Sequence, residues 1–184
     1  DEGMYGRNVM KLLKTIGICT EKMYPYGIIE DRLNIKEAYY LHAKNHCIKG
    51  YGKILSLDAL KYSLKYNGPC LIVFPVYNYS TQFWMNNNDK QFSLGGHAMT
   101  IVGYLEDCFI IRNSWGKEWG DNGYTYYYFK DWAKIKPNDH PRRIPAYGYS
   151  KESIEIYYVQ PYKAGFYYYS PVDYQGGLQY CQLE

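Results

Sequence analysis

Two apolar runs, residues 97–105 and 108–113, are separated only by Glu106 and Asp107. A two-residue connection leaves no room for a crossover helix, so the runs must fold back on each other as an antiparallel hairpin. A Gly-rich stretch, 116–123, and a further strand, 124–129, follow. This hairpin constrains the chain more than any other feature, because it sets His97 and Asn113 on neighbouring strands. An imidazole held at one nitrogen by a carboxamide keeps the other nitrogen aimed at a reacting group, as an oriented general base requires. Trp115 and Trp119 can roof that hydrogen bond and keep water away. The intervening glycines let the backbone pass close beneath the indoles. Taken singly these residues are ordinary: a His near a strand start is usually structural, and an Asn before Ser is usually a turn or cap. The combination carries the reading.

The remaining grammar is helices first and antiparallel strands after, an α+β pattern. Val9, Leu12, Leu13 and Ile16 recur at i, i+3, i+4 and i+7 and predict an amphipathic helix over 8–16, stopped by Gly17. Residues 20–34, broken by Pro25 and Gly27, read as loop. A short helix is expected over 35–43. Another is expected over 57–66, with Ser56 as N-cap and an end at Gly68 and Pro69. Residues 70–77 form an apolar strand, 78–94 a polar loop containing Phe83 and Trp84, and 153–159 an alternating last strand. The fold domain is expected to span 1–160, with 161–184 an extended Tyr-rich tail.

Composition excludes several classes. A formal charge of +3 without a basic run argues against nucleic-acid binding. The longest apolar run, 69–77, is too short to cross a bilayer. No charged and then apolar leader opens the chain, which starts at Asp1 and reads as a fragment or processed product. The 25 tyrosines suit broad contact surfaces better than a compact core. The five cysteines (Cys19, Cys47, Cys70, Cys108, Cys181) are dispersed and odd in number, which favours reduced thiols and a reducing compartment over secretion. No metal or cofactor is implied: His42 and His46 lie at i, i+4 without a third ligand and read as surface residues. Asn78-Tyr79-Ser80 matches a glycosylation sequon, a triplet that chance also produces. His140-Pro141-Arg142-Arg143 reads as a solvated basic loop.

The block Gly95-Gly96-His97-Ala98, followed by Gly103-Tyr104, and then Asn113-Ser114-Trp115-Gly116, Trp119-Gly120 and Gly123-Tyr124, resembles the His and Asn blocks of the papain-like cysteine peptidases. Upstream, Asp1-Glu2-Gly3, Arg7-Asn8-Val9-Met10-Lys11, Gly17-Ile18-Cys19-Thr20-Glu21 and Tyr24-Pro25-Tyr26 are similar to the segment after the active-site helix in bacterial and viral branches. Asn67-Gly68-Pro69 through Pro75-Val76-Tyr77 resembles the entry to the family's barrel. The resemblance implies a papain-like fold, a helical half and an antiparallel β-barrel half, with its N-terminal part missing here. It implies His97 as acid/base partner of a thiol, Asn113 as its orienter and Trp115 as their shield. Gly3, Met4, Tyr5 and Ala98 would then lie along the substrate cleft. The implied partner is a peptide or protein substrate, and the implied reaction is peptide hydrolysis.

The nucleophile itself is not visible. In this family His and Asn follow the Cys by roughly 130–150 residues, and counting back from His97 passes residue 1. The oxyanion-hole Gln is missing for the same reason. Cys19 follows a helix rather than heading one. Cys47 is a weak candidate, Cys70 and Cys108 read as core, and Cys181 is too close to the end to head a helix. Two readings stay open. In one, the chain is part of a longer peptidase, completed by an N-terminal segment or neighbouring chain. In the other, it is an inactive papain-fold structural or interaction protein, such as a viral particle or minor capsid component, whose tail docks on a partner. An acyltransferase or amidase on the same scaffold is a third.

Overall fold

The computed structural model describes residues 4–26, 35–86, 93–132, 136–137 and 153–161. The described residues divide into two units, those up to residue 51 with 159–161, and those of 52–158. Of the expected tail, 161–184, residues 162–184 lie outside the described residues. So does the basic loop at 140–143.

The first unit holds α1 (Gly6–Thr15), α2 (Glu37–Lys44) and most of β1 (Ile48–Lys53). Helix α1 ends where Gly17, at φ +88°, donates its N–H to the Leu12 carbonyl. A Cβ at Gly17 would overlap the Ala43 carbonyl of α2, so this contact as well as the backbone conformation requires glycine. The residues α1 buries are Gly6 and Met10, while Leu12 and Ile16 of the predicted stripe stay exposed. The helix is therefore covered on the side of Gly6 and Met10, not on its widest apolar face. Helix α2 opens with Glu37 and closes with Lys44, charges that suit its dipole. Strand β1 has no counterpart in the sequence expectation. Its Ile-Lys-Gly-Tyr-Gly-Lys run has neither alternation nor β-branched density, which leaves it no signal. Gly52 shows why: a Cβ there would lie 2.5 Å from the Tyr158 ring.

The second unit contains α3 (Leu57–Tyr66) and a sheet built on β2 (Cys70–Val76), β3 (Gly95–Tyr104), β4 (Cys108–Arg112), β5 (Tyr124–Tyr128) and most of β7 (Ser153–Pro161). The strand path is β1-β7-β2-β3-β4-β5, with the two-residue β6 (Lys136–Pro137) beside β7. The Ser56 hydroxyl caps α3 by accepting from the Ala59 N–H at 3.2 Å, as its position predicts. Helix α3 buries Leu60, Ser63 and Leu64 and stops at Gly68, whose φ is +87°.

β2 and β3 pair antiparallel from Cys70–Ile101 to Val76–Gly95, and β3 and β4 form the expected hairpin, closed by Leu105 N–H donating to the Cys108 carbonyl. One face of this sheet is the core: Ile72 and Phe74 on β2, Met99 and Ile101 on β3, Ile111 on β4 and Ile154 and Ile156 on β7, with Leu60 and Leu64 of α3 in the same cluster. Two expectations need correction here. The segment after β2 is not simply a polar loop, since Phe83 and Trp84 are fully buried and Trp84 stacks on Phe74 at 4.3 Å. Nor are the tyrosines only surface material, because Tyr77, Tyr127 and Tyr157 are core residues. Burial raises the Tyr127 phenol well above its ordinary range, and the charge of Asp131 adds to this. Among the described residues no helix is long and apolar enough to cross a membrane.

Candidate active site

His97 shares the core face of β3 with Met99 and Ile101, at the end of the strand where the core opens to solvent. On β4 the last registered pair is Thr100 with Arg112, so Asn113, one residue on, lies diagonal to His97 rather than opposite it. The two side chains close that diagonal with a hydrogen bond, His97 Nε2 to Asn113 Oδ1, of 2.8 Å. The amide orientation follows from a second contact. The Ser114 backbone N–H donates to the same Oδ1 at 2.8 Å, so that atom must be the oxygen. An oxygen cannot donate, so Nε2 carries the hydrogen and the neutral ring keeps its lone pair on Nδ1. Nδ1 is thus the nitrogen left to take and return a proton. Asn113 itself is buried, and its Nδ2 has no partner among the described residues.

Asn113 is placed by the glycine loop that follows it. Its N–H donates to the Gly123 carbonyl, whose own N–H donates to the Trp119 carbonyl. A Cβ at Gly120, φ +60°, would overlap the Tyr124 carbonyl, so the loop can close this tightly only with glycine there. The loop presents Trp115 over the imidazole, the ring centroids 4.4 Å apart and the planes 29° from parallel. Trp119 meets Trp115 edge-on at 5.5 Å and packs on the core. The roof is therefore one indole deep: Trp115 covers the ring, and Trp119 props Trp115. Trp115 remains 47% exposed, so its outer face is open to solvent.

A third aromatic was not foreseen. Phe83 sits 5.5 Å from the His97 ring at 68° and 5.7 Å from Trp115. The only signal in the sequence is a Phe-Trp pair inside an otherwise polar segment. Of the expected cleft residues, Ala98 is exposed, on the face of β3 opposite His97. Met4 and Tyr5 are exposed at the start of α1 in the other unit, and Gly3 lies outside the described residues.

Neither described thiol of this unit, Cys70 or Cys108, is within reach of the imidazole. Cys70 pairs with Ile101, four residues or about 13 Å along β3 from His97. Burial pushes its thiol up to about 12. Cys108 stands at the far end of β4 from Asn113, with its thiol pushed up to about 11 by burial and then by Asp107. Cys19 and Cys47 are half-buried free thiols of the other unit, and Cys181 lies outside the described residues. The described His, Cys, Asp and Glu residues form no group of three able to hold a metal. His42 and His46 are half-buried rather than surface residues, and their rings stack at 4.7 Å. Asn78 is committed to the backbone: its Nδ2 donates to the Met85 carbonyl, and its Oδ1 accepts from the Ser80 N–H.

Helices followed by an antiparallel sheet that carries a His–Asn pair beneath an indole define a papain-like α+β fold. Solved structures share it. Xylellain, a cysteine protease from Xylella fastidiosa, superposes with a TM-score of 0.65 at 24% identity over 87% of this chain and 62% of that one. The Carica candamarcensis cysteine protease CMS1MS2 does so at 0.55 and 20%, over 86% and 68%. The sequence profile described as "Papain family cysteine protease" matches residues 2–142, and the chain belongs to that family. Among its relatives, a cathepsin L-like peptidase of Aedes aegypti is 34% identical over 59% of this chain and 34% of its own length. An uncharacterized peptidase C1-like protein of Acanthamoeba polyphaga mimivirus is 28% identical over 67% and 46%. Macrodontain-1 of Ananas macrodontes is 30% identical over 62% and 54%. The chain thus spans about a third to a half of the length of the curated relatives it matches.

Proposed function

We propose that this chain is part of a papain-type cysteine peptidase, to which it supplies the acid/base imidazole of His97 and the orienting carboxamide of Asn113. The nucleophilic thiol, in this reading, is carried by sequence preceding residue 1. The observation that carries the proposal is the 2.8 Å bond from His97 Nε2 to Asn113 Oδ1, with Oδ1 identified by the Ser114 N–H. It leaves Nδ1 as the reacting nitrogen. Family membership and the greater length of the relatives support an upstream Cys. So does the absence, among the described residues of its unit, of a thiol within reach of His97.

In the reaction, Nδ1 takes the thiol proton and the thiolate attacks the substrate carbonyl. The resulting imidazolium gives that proton to the leaving amine as the C–N bond breaks, leaving an acyl-enzyme. A water, deprotonated at the same nitrogen, then adds to the thioester and expels the thiolate. The Asn113 bond persists through both protonation states, because Nε2 keeps its hydrogen in each. Gly3, Met4, Tyr5 and Ala98 belong to this proposal as substrate contacts, Trp115 as the shield of the His–Asn bond, and residues 161–184 as a docking segment for a partner protein.

The test is the full-length protein under reducing conditions, offered peptide amides and a thiol-alkylating peptide mimic. Hydrolysis and labelling of one Cys upstream of residue 1 are expected. Labelling of Cys19 or Cys47 with loss of activity would relocate the nucleophile. No hydrolysis and no labelled thiol would make the chain a papain-fold interaction protein instead.

A further inference from the structure

We infer that Phe83 is a positioning residue for His97, and that the turn carrying it is built to hold the imidazole in one orientation. The inference rests on the reading of His97 as the acid/base group. The Asn113 bond restrains the ring at Nε2 but leaves it free to pivot about that contact. Trp115 restrains one face, yet it is half exposed and lies on a loop. Phe83 supplies the missing restraint. It is fully buried, meets the imidazole at 68° with centroids 5.5 Å apart, and also backs Trp115 at 5.7 Å. A pivot of the ring has to displace a core aromatic.

The segment delivering Phe83 is tied down at each step. Tyr77 N–H donates to the Phe83 carbonyl at 2.8 Å, and Asn78 Nδ2 donates to the Met85 carbonyl at 3.1 Å. From β5, the buried Thr125 hydroxyl donates to the Thr81 carbonyl at 2.9 Å, and Gln82 Nε2 donates to the Tyr126 carbonyl at 3.4 Å. Next to it, Trp84 is locked on Phe74, the β2 residue registered against His97. A segment serving only as a connection would not need a partner for so many of its groups. This one fixes the depth at which Phe83 meets the imidazole.

The experiment compares Phe83→Leu with Phe109→Leu in the full-length protein. Phe109 is an equally buried core ring that touches Tyr104, Tyr127, Phe129 and Trp132 rather than His97. Both variants should lose similar stability. Only Phe83→Leu should accelerate solvent exchange of the His97 Nε2 hydrogen, read by NMR, and lower kcat about three- to tenfold with KM little changed. Equal effects of the two variants on exchange and kcat would overturn the inference. If Phe83→Leu fails to fold, Thr125→Val releases the Thr81 carbonyl and should shift exchange in the same direction by a smaller factor. Unchanged exchange in that variant would overturn the inference as well. An inactive wild type in which Phe83→Leu still speeds exchange would refute the peptidase reading but not the positioning role. An active wild type with indistinguishable variants would refute the positioning role alone.

Discussion

Replacing Asn113 with Ala removes a single oxygen that holds two donors, each at 2.8 Å. The Ser114 N–H belongs to an exposed residue and can turn to water, so its loss costs little. The His97 bond is different. It lies half-buried under Trp115, and in the proposed reaction, once Nδ1 takes the thiol proton, it becomes a bond from an imidazolium. Hydrogen bonds to charged groups contribute roughly 1.5–3 kcal/mol. At about 1.4 kcal/mol per decade this is roughly a 10- to 150-fold loss of kcat/KM. Stability should respond far less. The Asn113 Nδ2 is buried without a partner among the described residues, and removing such a donor relieves about 1–3 kcal/mol of desolvation, offsetting the lost bonds. Asn113→Asp keeps the acceptor and deletes the orphan donor, so it should retain more activity than Asn113→Ala. The assay is steady-state peptide-amide hydrolysis by the full-length protein from pH 5 to 8, with thermal melts of each variant. An Ala variant within twofold of wild type, while still folded, would refute the reasoning.

Other outcomes follow from the same structure. Phe74→Ala empties a site between Trp84 and Tyr127, and should cost about 3–5 kcal/mol in a urea melt. Gly17→Ala has to place a Cβ into the Ala43 carbonyl at a left-handed φ, and should lower stability by about 2 kcal/mol or more, visible as a depressed Tm. Cys70 gives stability a pH dependence on the alkaline side only. Its thiol is held neutral in the folded state up to about 12 against an ordinary 9.0, so its contribution is complete below pH 9 and is lost as pH rises from there toward 12. The urea midpoint of wild type should therefore fall more steeply above pH 9 than that of Cys70→Ala, and parallel curves would contradict the assignment. In native protein at neutral pH, Cys70 should resist iodoacetamide longer than the half-buried Cys19 and Cys47, as peptide mapping would report.

Much of the fold was legible because it is locally encoded. The β3–β4 hairpin follows from a two-residue gap between apolar runs, and the start and stop of α3 follow from Ser56 and from Gly68 with Pro69. Strand β1 was not legible, since its glycines answer to side chains about a hundred residues away, Gly50 to Gln160 and Gly52 to the Tyr158 ring. The buried face of α1 was misjudged for a related reason. The periodicity of Val9, Leu12, Leu13 and Ile16 says that a helix forms, but which side is covered depends on what packs against it, and that side is Gly6 and Met10. The tyrosines were assigned to the surface by composition, whereas Tyr127 is core because β5 alternates and its odd-numbered positions face inward.

The sequence by itself determined the hairpin, the glycine loop and the residue types at 97 and 113, because turn length, strand alternation and left-handed glycines act over a few neighbouring residues. Only the tertiary structure decided which nitrogen of His97 is engaged, that one indole rather than two covers it, and that Phe83 closes on its ring. Those facts depend on where side chains from three separate segments come to rest, and non-local packing of that kind leaves no periodic trace in the chain.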